Sequence, residues 1–250
     1  MLSFFITYLL FCVEVANSFY FSSPNYKPTC GKLIYGKRFQ SASTKGFIKD
    51  PLYADKNILF NGSYVIQEAR KADFFIDANK KETVDTSVTH YIFFDLKKKG
   101  IYEFSSFSDT ARLLKKYPLI DSAFVDNGWN FYRYSNLIYR ESIKRLPDTL
   151  IDGITYQRIT GTKTIKGIKE DAFHTRTGYI RSDINNSLFH FDRALDDSLG
   201  CTMVRIDYTV MPQNIGMSSS MNFVRKGLTP EELKVFDAWG RFAKKNPVVK

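Results

Sequence analysis

The sequence predicts an α+β fold in which a large, curved antiparallel sheet carries a C-terminal helix packed on it. Apolar and polar residues alternate along 88–96 and again along 201–211, as in strands with one buried face. Residues 229–246 instead have helical spacing behind a capping sequence. Aromatic residues make up 16 % of the chain, with 22 Phe and 15 Tyr, and this composition favours strands.

Strands are predicted along most of the chain, and the clearest pair is a hairpin. Val88, His90, Ile92 and Phe94 alternate with Tyr91, Phe93 and Asp95, and the turn Lys98-Lys99-Gly100 follows. The predicted strands are 31–39, 88–96, 101–107, 129–134, 150–160, 162–166, 173–182, 188–193 and 201–211. Residues 196–198 are expected to form a turn.

Other segments have a different character. The polar stretches 40–62 and 211–222 predict loops, and 63–78 is compatible with strand or helix. A short helix is expected from Ser108, with Leu113, Leu114 and Tyr117 facing inward and Pro118 ending it.

The last element has the strongest boundary signals. Thr229 is expected as the N-cap and Pro230 as the first helical residue, and Glu232 completes a capping box. Asn246-Pro247 ends the helix. Its apolar stripe comprises Leu233, Phe236, Trp239, Phe242 and Ala243.

Residues 1–18 predict a secretory signal peptide. An apolar run is followed by the small-residue pattern Ala16-Asn17-Ser18, and the run is shorter than the roughly 20 residues of a membrane-spanning helix. The chain is then expected to be secreted or periplasmic, with 19–250 as a single sheet-rich domain and no transmembrane segment after processing. The alternative is an intracellular protein whose first element is a buried strand or helix.

The formal net charge of +10 bears on possible partners. For an exported protein it favours anionic lipid headgroups or another anionic envelope component over nucleic acid. The alternative is a solvated surface, because the Lys and Arg residues are scattered along the chain. The oligomeric state stays open.

After signal removal two cysteines are left, Cys30 and Cys201. In an oxidising compartment they can form one disulfide, which would contribute about 4–5 kcal/mol by the chain-entropy model. The alternative is two separate thiols.

No catalytic motif is present. The three histidines, His90, His174 and His190, lack metal-ligand spacing, and His90 and His190 are expected to be satisfied sheet residues. The chain has no nucleophile elbow, phosphate-binding loop or dinucleotide fingerprint. The sequence therefore predicts no metal, no cofactor and no catalytic residue, although a hydrolase site assembled from distant residues is left as an alternative.

A curved sheet with one helix against it makes an apolar cleft, which suits a lipid-like ligand. The expected lining residues are Tyr91, Phe93, Tyr102, Phe104, Trp129, Phe131 and Tyr132. The alternative is that these residues fill a core.

Three segments, HYIFFDLKKKGIYEFSSFSDTARLL (90–114), GWNFY (128–132) and DTLIDGITYQRI (148–159), carry a resemblance. In their layout the chain resembles uncharacterised secreted envelope proteins of Gram-negative bacteria, of the GLPGLI-type and LolA-like groups. The resemblance implies a half-barrel of antiparallel strands around helices, in the periplasm or on the surface. It implies no catalytic residues.

Three functions therefore stay open. The favoured one is a non-catalytic envelope protein that binds an apolar ligand or an envelope partner. The second is the secreted hydrolase, and the third is a structural, partner-binding module.

Overall fold

The computed structural model describes residues 29–43, 46–49, 55–76, 82–119, 138–139, 142–166, 171–185, 187–224 and 226–248. The signal peptide predicted at 1–18 and the strand predicted at 129–134 lie outside these ranges. Within them, twelve strands form one sheet, accompanied by two helices. The strands are β1 Cys30–Gln40, β2 Ile48–Lys49, β3 Lys56–Asn61, β4 Tyr64–Ile76, β5 Glu82–Asp95, β6 Gly100–Phe104, β7 Leu113–Pro118, β8 Lys144–Ile151, β9 Ile154–Ile165, β10 Ala172–Arg181, β11 Thr202–Met211 and β12 Ile215–Val224, and the helices are α1 Arg193–Leu199 and α2 Pro230–Lys245.

The sheet is antiparallel, curved and unclosed. Its strand order is β7-β6-β5-β4-β3-β1-β12-β11-β10-β9-β8, and β2 pairs with β1 beside this path. Neighbours in the sheet are mostly neighbours in sequence, apart from β12, which returns to pair with β1. The half-barrel expected from the resemblance is therefore confirmed as architecture, and the C-terminal helix packs on it as predicted.

Both faces of the sheet carry buried apolar residues. The face that bears Leu33, Phe60 and Phe94, here called the core face, holds the larger hydrophobic cluster. The opposite face, here called the helix face, holds a second cluster in which Phe93 and Tyr102 meet α2. Because alternate residues of β5 and β6 belong to different clusters, this part of the sheet is covered on both sides.

The hairpin and the first strand are confirmed. Phe93 pairs with Tyr102 across β5 and β6, and Lys99 has φ 55° in the turn. The strand predicted at 31–39 is β1. The undecided segment 63–78 contains β4, a 13-residue strand with no helix in it.

Two predicted loops are wrong. Residues 40–62 contain β2 and β3, and 211–222 contain most of β12. Ser218 and Ser219 of β12 are buried, because this strand lies in the middle of the sheet between β1 and β11. Pairing on both sides outweighs the loop-like composition of the segment.

The elements predicted between 108 and 118 and between 188 and 198 are also corrected. β7 replaces the expected helix, and Leu114 is exposed, because pairing with β6 places the chain at the sheet edge. No strand forms at 188–193, and Asp196 and Asp197 lie in α1 rather than in a turn. Asp192 caps α1 by accepting the Leu195 N–H at 3.1 Å.

Helix α2 begins and ends as predicted. Thr229 and Glu232 form the capping box, and Asn246 is the C-cap. Among the described residues, neither helix combines the length and apolar character that crossing a bilayer requires.

Cys30 and Cys201 are free thiols in the structure, which corresponds to the second alternative above. β1, which begins at Cys30, and β11, which follows Cys201, lie on either side of β12. Two strand spacings, roughly 9.6 Å, therefore separate β1 from β11. A disulfide needs Cα atoms within about 7 Å, so this arrangement keeps the two thiols apart.

Candidate functional site

Aromatic packing fixes α2 on the helix face. The Trp239 ring stacks on Phe104 with centroids 4.1 Å apart and meets Phe93 edge-on at 6.0 Å. Its Nε1 donates to the Ser108 carbonyl at 3.0 Å, so the one polar atom of the indole is satisfied. The helix therefore has a defined position from which its first turn can form one wall of a cleft.

That cleft lies between the start of α2, the segment after β6 and the helix face. Its volume is about 320 Å³. Mostly apolar residues from five strands and the β6–β7 segment line it, together with a few polar ones. The lining residues are Lys32, Leu33, Ile34, Asn57, Leu59, Ile66, Glu68, Tyr91, Phe107, Val224 and Glu232.

A charged pair joins the cleft's sheet wall to its helix wall. Lys32 Nζ lies 2.7 Å from Glu232 Oε1, and the other carboxylate oxygen of Glu232 accepts the Thr229 N–H at 2.8 Å. Burial raises the pKa of Glu232, but the hydrogen bonds from Lys32 and Thr229 outweigh it and hold this pKa below its ordinary value. The carboxylate is therefore ionised at neutral pH.

A second charged pair lies along β4. Glu68 Oε2 accepts hydrogen bonds from Arg70 Nε at 3.0 Å and Nη2 at 2.6 Å. The acids of the cleft are thus paired with bases. A ligand there meets an apolar surface with balanced charges beside it.

The seven residues predicted to line the cleft fall into three groups. Phe93, Tyr102 and Phe104 are fully buried between the sheet and α2, so they pack as core, the alternative considered above. Tyr91, half-buried, does line the cleft. Trp129, Phe131 and Tyr132 lie outside the described residues.

Sequence reasoning missed most of the cleft. Leu59 falls in 40–62, whose polar composition predicts a loop, although Ile58, Leu59 and Phe60 form an apolar run inside it. Lys32 and Glu232 are 200 residues apart, and the pattern of each element alone does not indicate their contact. A capping-box Glu with a spare carboxylate oxygen was the available signal.

Each of the three histidines contacts a neighbouring side chain. His90 Nδ1 lies 2.9 Å from the Thr89 hydroxyl, and the ring of His174 contacts Tyr208. His190, which precedes α1 and is not in the sheet, lies 2.8 Å from Asp196. His90 on β5 and His174 on β10 have five strands between them in the sheet order.

His190 and Asp196 are a buried acid–base pair with a structural role: Asp196 connects His190 to the backbone of β11. The side chains are 8 % and 3 % exposed, and Asp196 also accepts the Met203 N–H at 2.8 Å.

Burial, followed by the negative charge of Asp196, raises the pKa of the Cys201 thiol to about 11. A thiol held protonated in this way is a poor nucleophile. In the described part of the chain no three His, Cys, Asp or Glu residues are grouped to hold a metal ion.

Another cavity, of about 330 Å³, lies between the β3–β4 turn and α2. Its rim includes Asp237, Arg241 and Lys244, which are exposed. This polar lining makes it the weaker candidate for an apolar ligand.

Comparison with solved structures gives distant likenesses. They include the lipoprotein LppX of Mycobacterium tuberculosis (11 % identity, 80 % of this chain and 89 % of that chain, TM-score 0.31) and LprF of Mycobacterium bovis (11 %, 81 % and 90 %, 0.35). A putative outer membrane lipoprotein-sorting protein domain of Vibrio parahaemolyticus is also similar (8 %, 83 % and 91 %, 0.14). At these TM-scores we draw neither fold nor function from them. No protein-family model matches the chain, and no curated protein matches it significantly.

Proposed function

We propose that this chain is an exported, non-catalytic envelope protein that binds an amphipathic, lipid-like ligand in the cleft beside α2. One observation carries the proposal: a cavity of about 320 Å³ whose apolar floor has paired charges beside it. Ligand sites are typically concave, mostly apolar and furnished with a few placed polar groups.

The shape of the cleft assigns a part to each end of such a ligand. Leu59, Ile66 and Phe107 offer apolar contacts, so the apolar portion of the ligand lies there. Asn57 and the Lys32–Glu232 pair offer hydrogen bonds to a polar head. Burying apolar surface would drive binding at roughly 25 cal/mol per Å².

The volume limits the size of the ligand. Pockets for small molecules span roughly 300–1,000 Å³, and this one lies at the lower end. It therefore suits a single short chain or one end of a longer amphiphile, and it is too small for a whole diacyl lipid.

The absence of catalysis and the export are parts of the same proposal. The His190–Asp196 pair is buried, and Asp196 also accepts the Met203 backbone N–H. The pair therefore has no access to a substrate in the cleft. The signal-like residues 1–18 support export. A single domain over 19–250 is the arrangement that we propose for the processed chain.

A fluorescent fatty-acid probe tests the cleft. We expect the full chain to bind it with one site, and Leu59→Trp to weaken binding at least tenfold because the indole fills the cleft. Leu150→Trp is the matched control, since Leu150 is 69 % exposed on β8 and should tolerate the same change. Thermal melting checks that both variants fold. Equal affinity of Leu59→Trp and the native chain would contradict the proposal.

A further inference from the structure

A row of exposed apolar side chains follows one end of the sheet. Each is 44–53 % exposed, and all lie where a strand of the run β9-β10-β11-β12-β1-β2 begins or ends. We call this row the apolar rim. It consists of Ile48, Ile165, Phe173, Met211 and Ile215.

Strand register places the rim residues side by side. Ile165 pairs with Ala172, the neighbour of Phe173, and Phe173 itself pairs with Met211. Ile215 pairs with Val210, and Ile48 pairs with Phe39 at the far end of β1. Five strand spacings make the rim roughly 24 Å long.

The rim wraps around the strand ends and so belongs to neither face. Phe173 and Met211 project on one side of the sheet, whereas Ile165, Ile215 and Ile48 project on the other, as the alternation along each strand requires. An element packed on one face would cover only part of such a ridge. A ridge of this kind instead suits a soft apolar medium that can surround it.

The charge beside the rim favours an anionic medium. Lys163 and Lys166 are exposed at the same end of β9, and Asp171 is exposed at the start of β10. The chain as a whole carries a formal charge of +10. Apolar side chains flanked by lysines are the usual composition of surfaces that lie in an anionic bilayer interface.

We propose that the apolar rim inserts into the surface of an anionic lipid membrane, with Lys163 and Lys166 against the headgroups. This interaction uses residues distinct from those of the cleft. It gives the chain a fixed orientation on the membrane, with the long axis of β9 directed away from the lipid.

Vesicle flotation with the processed chain, residues 19–250, tests the proposal, because the apolar residues 1–18 would themselves bind lipid. Vesicles of phosphatidylcholine and phosphatidylglycerol in equal parts should carry the native protein, whereas pure phosphatidylcholine vesicles should carry much less. The double variant F173S/M211S should lose about tenfold in partitioning. K163Q/K166Q should lose roughly 25-fold, since each lysine near an anionic surface contributes roughly fivefold. High salt should also weaken partitioning.

The chain offers a matched control at the other end of the same strand. Leu150 and Ile154 are also exposed apolar residues, but Ile154 begins β9 and lies roughly 36 Å from Ile165. L150S/I154S should float like the native protein, and so should Leu59→Trp, which separates this result from ligand binding in the cleft.

Three results would overturn the proposal. One is failure of the native chain to float with anionic vesicles. Another is equal flotation of F173S/M211S and the native chain. The third is sedimentation of the lipid-free protein as a dimer that F173S/M211S abolishes, since the rim would then be an interface between two copies.

Discussion

At the scale of single residues, Glu232 serves both the helix and the cleft. Its backbone N–H donates to the Thr229 hydroxyl at 3.2 Å, and its carboxylate accepts from Thr229 and Lys32. The side chain is 13 % exposed, so its interactions are shielded from solvent more than those of a surface pair. One residue thus couples the start of α2 to β1.

Glu232 predicts a pH dependence of stability with a definite sign. Its pKa is lower in the folded chain than its ordinary value of 4.5, so its stabilising contribution is present above pH 4.5 and is lost as the pH falls through the folded pKa. Glu232→Gln keeps the capping box but removes the charge. We expect urea denaturation to show a smaller loss of stability between pH 7 and pH 3.5 in this variant than in the native chain. The same loss in both proteins would refute the assignment.

The two cysteines of the processed chain, which lacks Cys12, predict unequal labelling. Cys201 is buried, and its pKa is raised to about 11, whereas Cys30 is half-buried. Iodoacetamide at pH 8 should therefore modify Cys30 well before Cys201 in the folded protein. Cys30→Ser should take up almost no label until urea is added. Rapid labelling of Cys201, or no labelling of either thiol in the native chain, would contradict the structure.

At the scale of elements, Trp239 is the largest buried side chain with which α2 packs on the sheet. This side chain is 2 % exposed and contacts Phe93, Phe104 and Phe107 through its ring. Trp239→Ala should lower the free energy of unfolding by about 3–5 kcal/mol, the range for removing a large buried aromatic. Leu233→Ala, in the same helix but 38 % exposed, is the control and should cost less than about 1 kcal/mol. Comparable losses in the two variants, measured by urea denaturation, would show that α2 packs differently.

Local patterns predicted some elements and misled on others. The capping box of α2 and the β5–β6 turn use short-range chemistry, which a single sequence displays. The sequence predicts a helix where β7 lies, because Leu113, Leu114 and Tyr117 fit helical spacing. Its strand conformation depends on pairing with β6, a contact that the segment itself does not encode.

The site was predicted only in part for a related reason. Aromatic residues on both faces of the β5–β6 hairpin suggested a lined cleft, yet α2 fills the space over Phe93 and Phe104. The cleft lies further along, where Leu59 and Lys32 come from strands distant in sequence from α2. Whether an aromatic residue lines a cavity or fills a core depends on where the helix comes to rest.

At the scale of the whole molecule, β7 and β8 are the two edge strands of the sheet among the residues that the structure describes. Lys115 and Lys116 are exposed on β7, and Lys144, Arg145 and Pro147 are exposed on β8. Charged side chains and proline on an edge strand discourage pairing with another chain. The unclosed sheet can therefore expose one end to a membrane without offering its edges for aggregation.

Native mass spectrometry of protein purified from its own host would show whether the cleft beside α2 holds an amphipathic ligand. We expect a mass adduct on the native chain that organic extraction removes and identifies as a small amphiphile. Leu59→Trp prepared in the same way should carry a much smaller adduct. Two results would contradict the proposed function. One is a native chain that carries no adduct and binds no amphiphile added to it, and the other is an adduct that Leu59→Trp retains in full.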